Sequence, residues 1–158
     1  MMLSNALINR EITRELIDGE VEKLTDSEIR EAIQTLVAED RLDLAAAIST
    51  AALVMRPDSE DILAISGLLC MVRGEWDNAV ELLEALLSIQ GEHAPPQTYL
   101  MLAKSLRCAF LVGSAMEMVK FGLKHHFNDP ALAAEFKELQ ALNMAGDAAG
   151  WQSVAGSA

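Results

Sequence analysis

Apolar and polar residues alternate along most of the chain with the period of an α-helix. The pattern is sharpest between Glu60 and Glu92, EDILAISGLLCMVRGEWDNAVELLEALLSIQGE. Ile62, Leu63, Ile65, Leu68, Leu69 and Val72 recur at spacings that line one side of a helix. Arg73-Gly74-Glu75 interrupts the run, and Gly74 suits the left-handed backbone of a helix C-cap. A second helix is predicted from about Trp76 to Ile89, with Val80, Leu82, Leu83, Leu86 and Leu87 apolar. The segment reads as a helical hairpin.

Five of its residues, Leu63, Gly67, Gly74, Trp76 and Ala79, fall in the order and spacing of the tetratricopeptide repeat, and the segment resembles that family. Gly67 and Ala79 are small where two paired helices cross closely, and Leu63 and Trp76 fill the space beside the crossing. One period of about 34 residues earlier, a unit starting at Asp26 places Ile29, Leu42, Ala45 and Ala52 at matching positions and ends at Pro57. Leu36, Leu42, Leu44, Ile48 and Leu53 supply its core, and Thr25-Asp26-Ser27-Glu28 is a helix N-cap with a following acid. Ile33 stands where a small residue is expected, so these helices are expected to cross less closely. A third unit, displaced by His93-Ala94-Pro95-Pro96, matches with Tyr99, Leu102, Ala103, Ala115 and Gly122. Val112-Gly113-Ser114 is read as its turn and Asn128-Asp129-Pro130 as its end.

The expected fold is all-α: three TPR-like helical hairpins, 26–59, 60–95 and 96–129, forming a short right-handed α-solenoid. No single unit can bury its apolar stripe alone, so about three must stack and the ends must be capped. Residues 130–145 are predicted to be a capping helix carrying Leu132, Phe136, Leu139 and Leu142. Residues 146–158 are read as a flexible tail containing Trp151. Within residues 1–25, Leu7, Ile8, Ile12, Leu16 and Ile17 form another helical stripe, either an N-terminal cap or a self-association arm.

The TPR resemblance implies a concave groove lined by the first helix of each unit. Arg30, Gln34 and Val37 would face it from the first unit, with Ser27 and Ala38. Ala64, Leu68, Met71 and Val72 would do so from the second, with Asp61, and Leu100, Lys104 and Arg107 from the third, with Gln97 and Cys108. Its middle is apolar, and Arg30, Lys104 and Arg107 would gather positive charge on it. An amphipathic helix or an extended segment bearing a few acids would fit. The alternative is that Leu68, Met71 and Val72 are core. The Lys/Asn pattern by which some TPR domains clamp a C-terminal carboxylate is absent, since Arg30, Gln34, Gln97 and Met101 stand in those places.

Composition narrows the function. Apolar residues make up 51% and aromatics 4%, which suits packed helices. A mean hydropathy of +0.20 suggests apolar surface that a partner covers. The net charge is −12, from 24 Asp and Glu against 12 Lys and Arg, a surface that repels a phosphate backbone. Nucleic acid and anionic membrane are therefore not expected partners; a basic or amphipathic polypeptide is. No apolar run approaches the ~20 residues that span a bilayer, and the start of the chain is unlike a signal peptide, so the protein is expected in the cytoplasm. Cys70 and Cys108 read as buried reduced thiols. No nucleotide loop, nucleophile elbow or zinc-protease pattern is present, and His125-His126 reads as a solvated helix end. No catalytic residue, cofactor or metal ligand is assigned, and the chain is expected not to be an enzyme.

The chain also resembles the TPR chaperones of type III secretion, either the group that guards the translocators or the YscG-like needle-subunit group, whose end Ser105 to Phe136, SLRCAFLVGSAMEMVKFGLKHHFNDPALAAEF, resembles. That resemblance implies a cytoplasmic chaperone or adaptor that sequesters an amphipathic helix of a secreted subunit. A self-associating scaffold or assembly factor of an envelope complex, with a homodimer through Leu7, Ile8 and Ile12, is the alternative.

Overall fold

The computed structural model describes residues 19–155, with side chains through residue 146. The predicted stripe over residues 3–18 lies outside them. The fold is an all-α helical repeat, and no strand occurs among the described residues. The chain divides into two compact units, the first ending at Gln90 and the second starting at Gly91.

In the first unit, residues 19–22 are helical and are followed by α1 (Asp26–Ala38), α2 (Leu42–Met55), α3 (Glu60–Val72) and α4 (Trp76–Gln90). Thr25 starts α1 with a capping box, its hydroxyl accepting from the Glu28 backbone while the Glu28 carboxylate reaches back. Ser59 starts α3. Helix α1 packs on α2 and α3, α2 on α3, and α3 on α4. Ile29, Ile33, Leu36, Ala45, Ile48, Ala52, Ile62, Ile65 and Leu69 form one core with Val21. A β-carbon on Gly67 would lie 2.9 Å from Leu83 Cδ2, so the predicted close crossing is real. Ala45 and Ala79 are fully buried.

The second unit opens with a 3-10 turn (Gly91–His93) and continues with α5 (Pro96–Cys108), α6 (Val112–His125) and α7 (Pro130–Ala155). Helix α5 packs on α6 and α7, and α6 on α7. Ala103 and Ala115 are fully buried, and a β-carbon on Gly122 would sit 2.9 Å from Tyr99 Cβ. Residues 146–155, expected as tail, continue α7.

The turns inside the hairpins share one construction. The amides of Asp40, Gly74 and Phe110 donate to Val37, Met71 and Arg107, and those of Arg41, Glu75 and Leu111 donate to Leu36, Cys70 and Leu106. This double bond is the Schellman motif, which needs a left-handed residue at its centre. Gly74 supplies it at φ +72, but Asp40 and Phe110 do so at +60 and +65. Val112-Gly113-Ser114, expected as a turn, instead opens α6; a β-carbon on Gly113 would meet nothing, so it was no marker of a bend.

Candidate functional site

The α1–α3 packing leaves a notch. Periodicity places Ile33, Gln34 and Val37 on one side of α1, and Ile65, Leu68, Leu69 and Val72 on the facing side of α3. Together they line an apolar cavity of about 110 Å³. Ile33, Ile65 and Leu69 are buried and form its floor, while Leu68 is 41% exposed and Val72 52%. Gln34 is exposed at the mouth and Val37 half-buried. Ile33 is a large side chain at a position where the repeat favours a small one, and it is fully buried.

Of the residues expected in a groove, the first unit brings Gln34, Val37, Leu68 and Val72 together at this notch, over a floor of Ile33, Ile65 and Leu69 that was not among the expected groove residues. Arg30 is half-buried on α1, one turn before Gln34, and its Nη1 donates to Asp61 Oδ1 on α3 at 3.0 Å. Ala64 and Met71 are half-buried outside the cavity lining.

In the second unit Leu100, Lys104 and Arg107 are half-buried on α5. Arg107 faces Glu135 of α7, Nε to Oε1 at 3.1 Å, and Glu135 is 4% exposed. The two atoms are in charge contact but misaligned for a hydrogen bond. The reading that Arg30, Lys104 and Arg107 gather positive charge is thereby corrected: Arg30 and Arg107 are neutralised within the chain by acids 31 and 28 positions further along.

A second cavity, about 250 Å³, opens among α2, α3 and α4 beside Ser49, Thr50, Cys70, Arg73, Glu75 and Asn78. Its guanidinium is held by Glu75, Nη2 to Oε1 at 3.2 Å. Burial, and after it the Glu75 charge, pushes the Cys70 thiol up, which keeps it protonated and a poor nucleophile. Cys70 and Cys108 are free and half-buried rather than buried. His125 stacks on Tyr99 with ring centroids 6.3 Å apart, and Phe121 meets it edge-on at 5.1 Å. His126, expected in solvent, is half-buried, and its Nε2–H donates to the Ala94 carbonyl at 2.8 Å. The described residues contain no cluster of three His, Cys, Asp or Glu placed to hold a metal, and no helix long and apolar enough to cross a membrane.

No family model matches the chain, and no curated protein matches it. Solved structures do. The TPR domain of Sgt2 from Aspergillus fumigatus superposes with a TM-score of 0.68 at 14% identity, over 77% of this chain and 81% of that one. A chain in a cryo-EM structure of the Sec complex from S. cerevisiae superposes with a TM-score of 0.65 at 20% identity, over 91% and 82%. At these identities the likeness establishes the fold: a TPR-like helical repeat.

Proposed function

We propose that the chain is a protein-binding repeat module whose α1–α3 notch receives the apolar side of a helix from another polypeptide. The observation that carries this is Leu68 and Val72 standing half in solvent above an apolar void. Full burial of such a side chain from water is worth about 1.5–3 kcal/mol, and since Leu68 and Val72 are already half covered a partner adds roughly half of that for each. An amphipathic helix with apolar residues at i, i+3, i+4 and i+7 presents the ridge that such a notch receives.

The more specific reading is a cytoplasmic chaperone or adaptor of a bacterial type III secretion system, supported by the likeness of Ser105–Phe136 to the YscG-like group. Secreted subunits that polymerise through apolar helices must be kept apart before export. A notch that binds such a helix removes it from assembly by mass action.

Replacing Leu68 and Val72 together by Gln tests the notch. We expect affinity for a copurified helical partner to fall at least ~30-fold, about 2 kcal/mol. Thermal unfolding should change little, because neither side chain is core. An unchanged affinity would overturn the notch. The secretion reading is checked by deleting the gene in a host that carries such a system: needle-subunit levels should drop, and undiminished export would count against it.

A further inference from the structure

The charge on this chain is not evenly spread. Residues 1–90 hold 18 Asp and Glu against 7 Lys and Arg, whereas residues 91–158 hold 6 against 5. Nearly all of the net −12 therefore belongs to the unit that carries the notch. Four of its cations are already engaged, Lys23 with Glu20, Arg30 with Asp61, Arg56 with Asp26 and Arg73 with Glu75, and Arg41, next in sequence to Asp40, is the one described cation of the unit outside an ion pair. What the surface has in excess is carboxylate. Glu31 lies on α1 one turn before Gln34 at the notch mouth, and Glu39 and Asp40 follow the end of the same helix just past Val37. All three are exposed, and none meets a cation among the described residues.

Resting on the notch as a helix-binding site, we infer that its occupant is a cationic amphipathic helix from a different protein. Its apolar ridge enters between Val37, Leu68 and Val72, and its Lys or Arg flank meets Glu31, Glu39 and Asp40. An acid-bearing ligand loses its anchor, because the Arg30 guanidinium that would have paired with it already holds Asp61. A second copy of this chain brings the same surplus of carboxylate and is repelled. The chain's own apolar stripe at residues 3–18 carries Arg10 and Arg14 against Glu11, Glu15 and Asp18, so its net charge is negative. Complementary charge of this kind acts mainly on encounter rate and partner choice, and it weakens with salt.

The test uses the full chain and two synthetic 18-residue helical peptides with one shared leucine face, flanked in one by lysine and in the other by glutamate. Binding is read by fluorescence anisotropy at low and high NaCl. The lysine peptide should bind at least tenfold more tightly than the glutamate peptide, lose that advantage at high salt, and lose most of its affinity on combined L68Q and V72Q. Glu31→Gln, Glu39→Gln and Asp40→Asn together should lower its affinity severalfold without weakening the glutamate peptide. Equal binding of both peptides, lost in the Leu68/Val72 variant, would leave the notch standing and overturn the cationic partner. Lysine-peptide binding that survives the Leu68/Val72 variant would overturn the notch itself. A concentration-dependent dimer that the same variant abolishes would make a second copy the occupant and overturn the inference.

Discussion

At φ +65, Phe110 holds a left-handed backbone that a β-carbon disfavours by about 1–2 kcal/mol. Its ring returns nothing within the chain, being 93% exposed. Phe110→Gly should therefore raise the stability of the second unit by about 0.5–1 kcal/mol, after allowing for glycine's freer unfolded state. A higher urea midpoint at unchanged slope would show it. The same change at Asp40 should gain less, because Asp tolerates this conformation better. Asp26 offers a pH prediction. Hydrogen bonds from Ser59 and then Arg56 hold its carboxyl below the ordinary 3.8. A depressed carboxylate stabilises the fold fully above its unfolded value and loses that contribution as pH falls through the folded one. The stability difference between the native chain and Asp26→Asn should thus be constant near neutrality and shrink below about pH 4. Acid titration followed by circular dichroism measures it, and a gap that persists at pH 2 would contradict it.

Close crossings separate the helix pairs into tolerant and intolerant ones. The β-carbon of Gly67→Ala would meet Leu83 at Cδ2 (2.9 Å) and Cγ (3.0 Å), the outer part of a buried side chain that must rotate to make room. Alanine's better helix propensity, about 1 kcal/mol, should roughly cancel the strain. Gly122→Ala would meet Tyr99 at its stiff base, 2.9 Å from Cβ and 3.0 Å from Cγ, with Leu132 Cδ1 at 3.3 Å behind. That change should cost about 1–3 kcal/mol, and paired denaturant melts would rank the two. The turns that follow α2 and α6 also repeat. Arg56 after α2 and His126 after α6 take nearly the same backbone angles, φ −137 and −134. Each side chain ties its turn to a carbonyl 32 residues earlier, Leu24 or Ala94. The recurrence of small residues, helix starts and caps was legible in the sequence, because each is a local demand repeated at a fixed spacing. The Phe110 turn was not: no residue there advertises positive φ, and Gly113 three positions later drew the reading instead.

On the scale of the whole molecule, charge is the dominant asymmetry. Surplus carboxylates in residues 1–90 repel one another more than the ion pairs there attract. Raising NaCl from about 20 to 300 mM shortens the screening length from roughly 20 Å to under 10 Å. The unfolding temperature should rise, by about 2–8 °C for each kcal/mol of repulsion relieved. A fall with salt would mean that the four ion pairs outweigh the surplus.

The sequence by itself determined the helices, the hairpins and the buried small residues, since period and propensity act over a few turns of chain. The TPR resemblance also singled out Gln34, Val37, Leu68 and Val72 as groove candidates. Only the tertiary structure decided that Ile33, Ile65 and Leu69 leave a void beneath them, and that Arg30 and Arg107 are answered by Asp61 and Glu135. Those outcomes depend on which helices lie side by side and how closely, a relation between segments some thirty residues apart that no one segment's pattern contains.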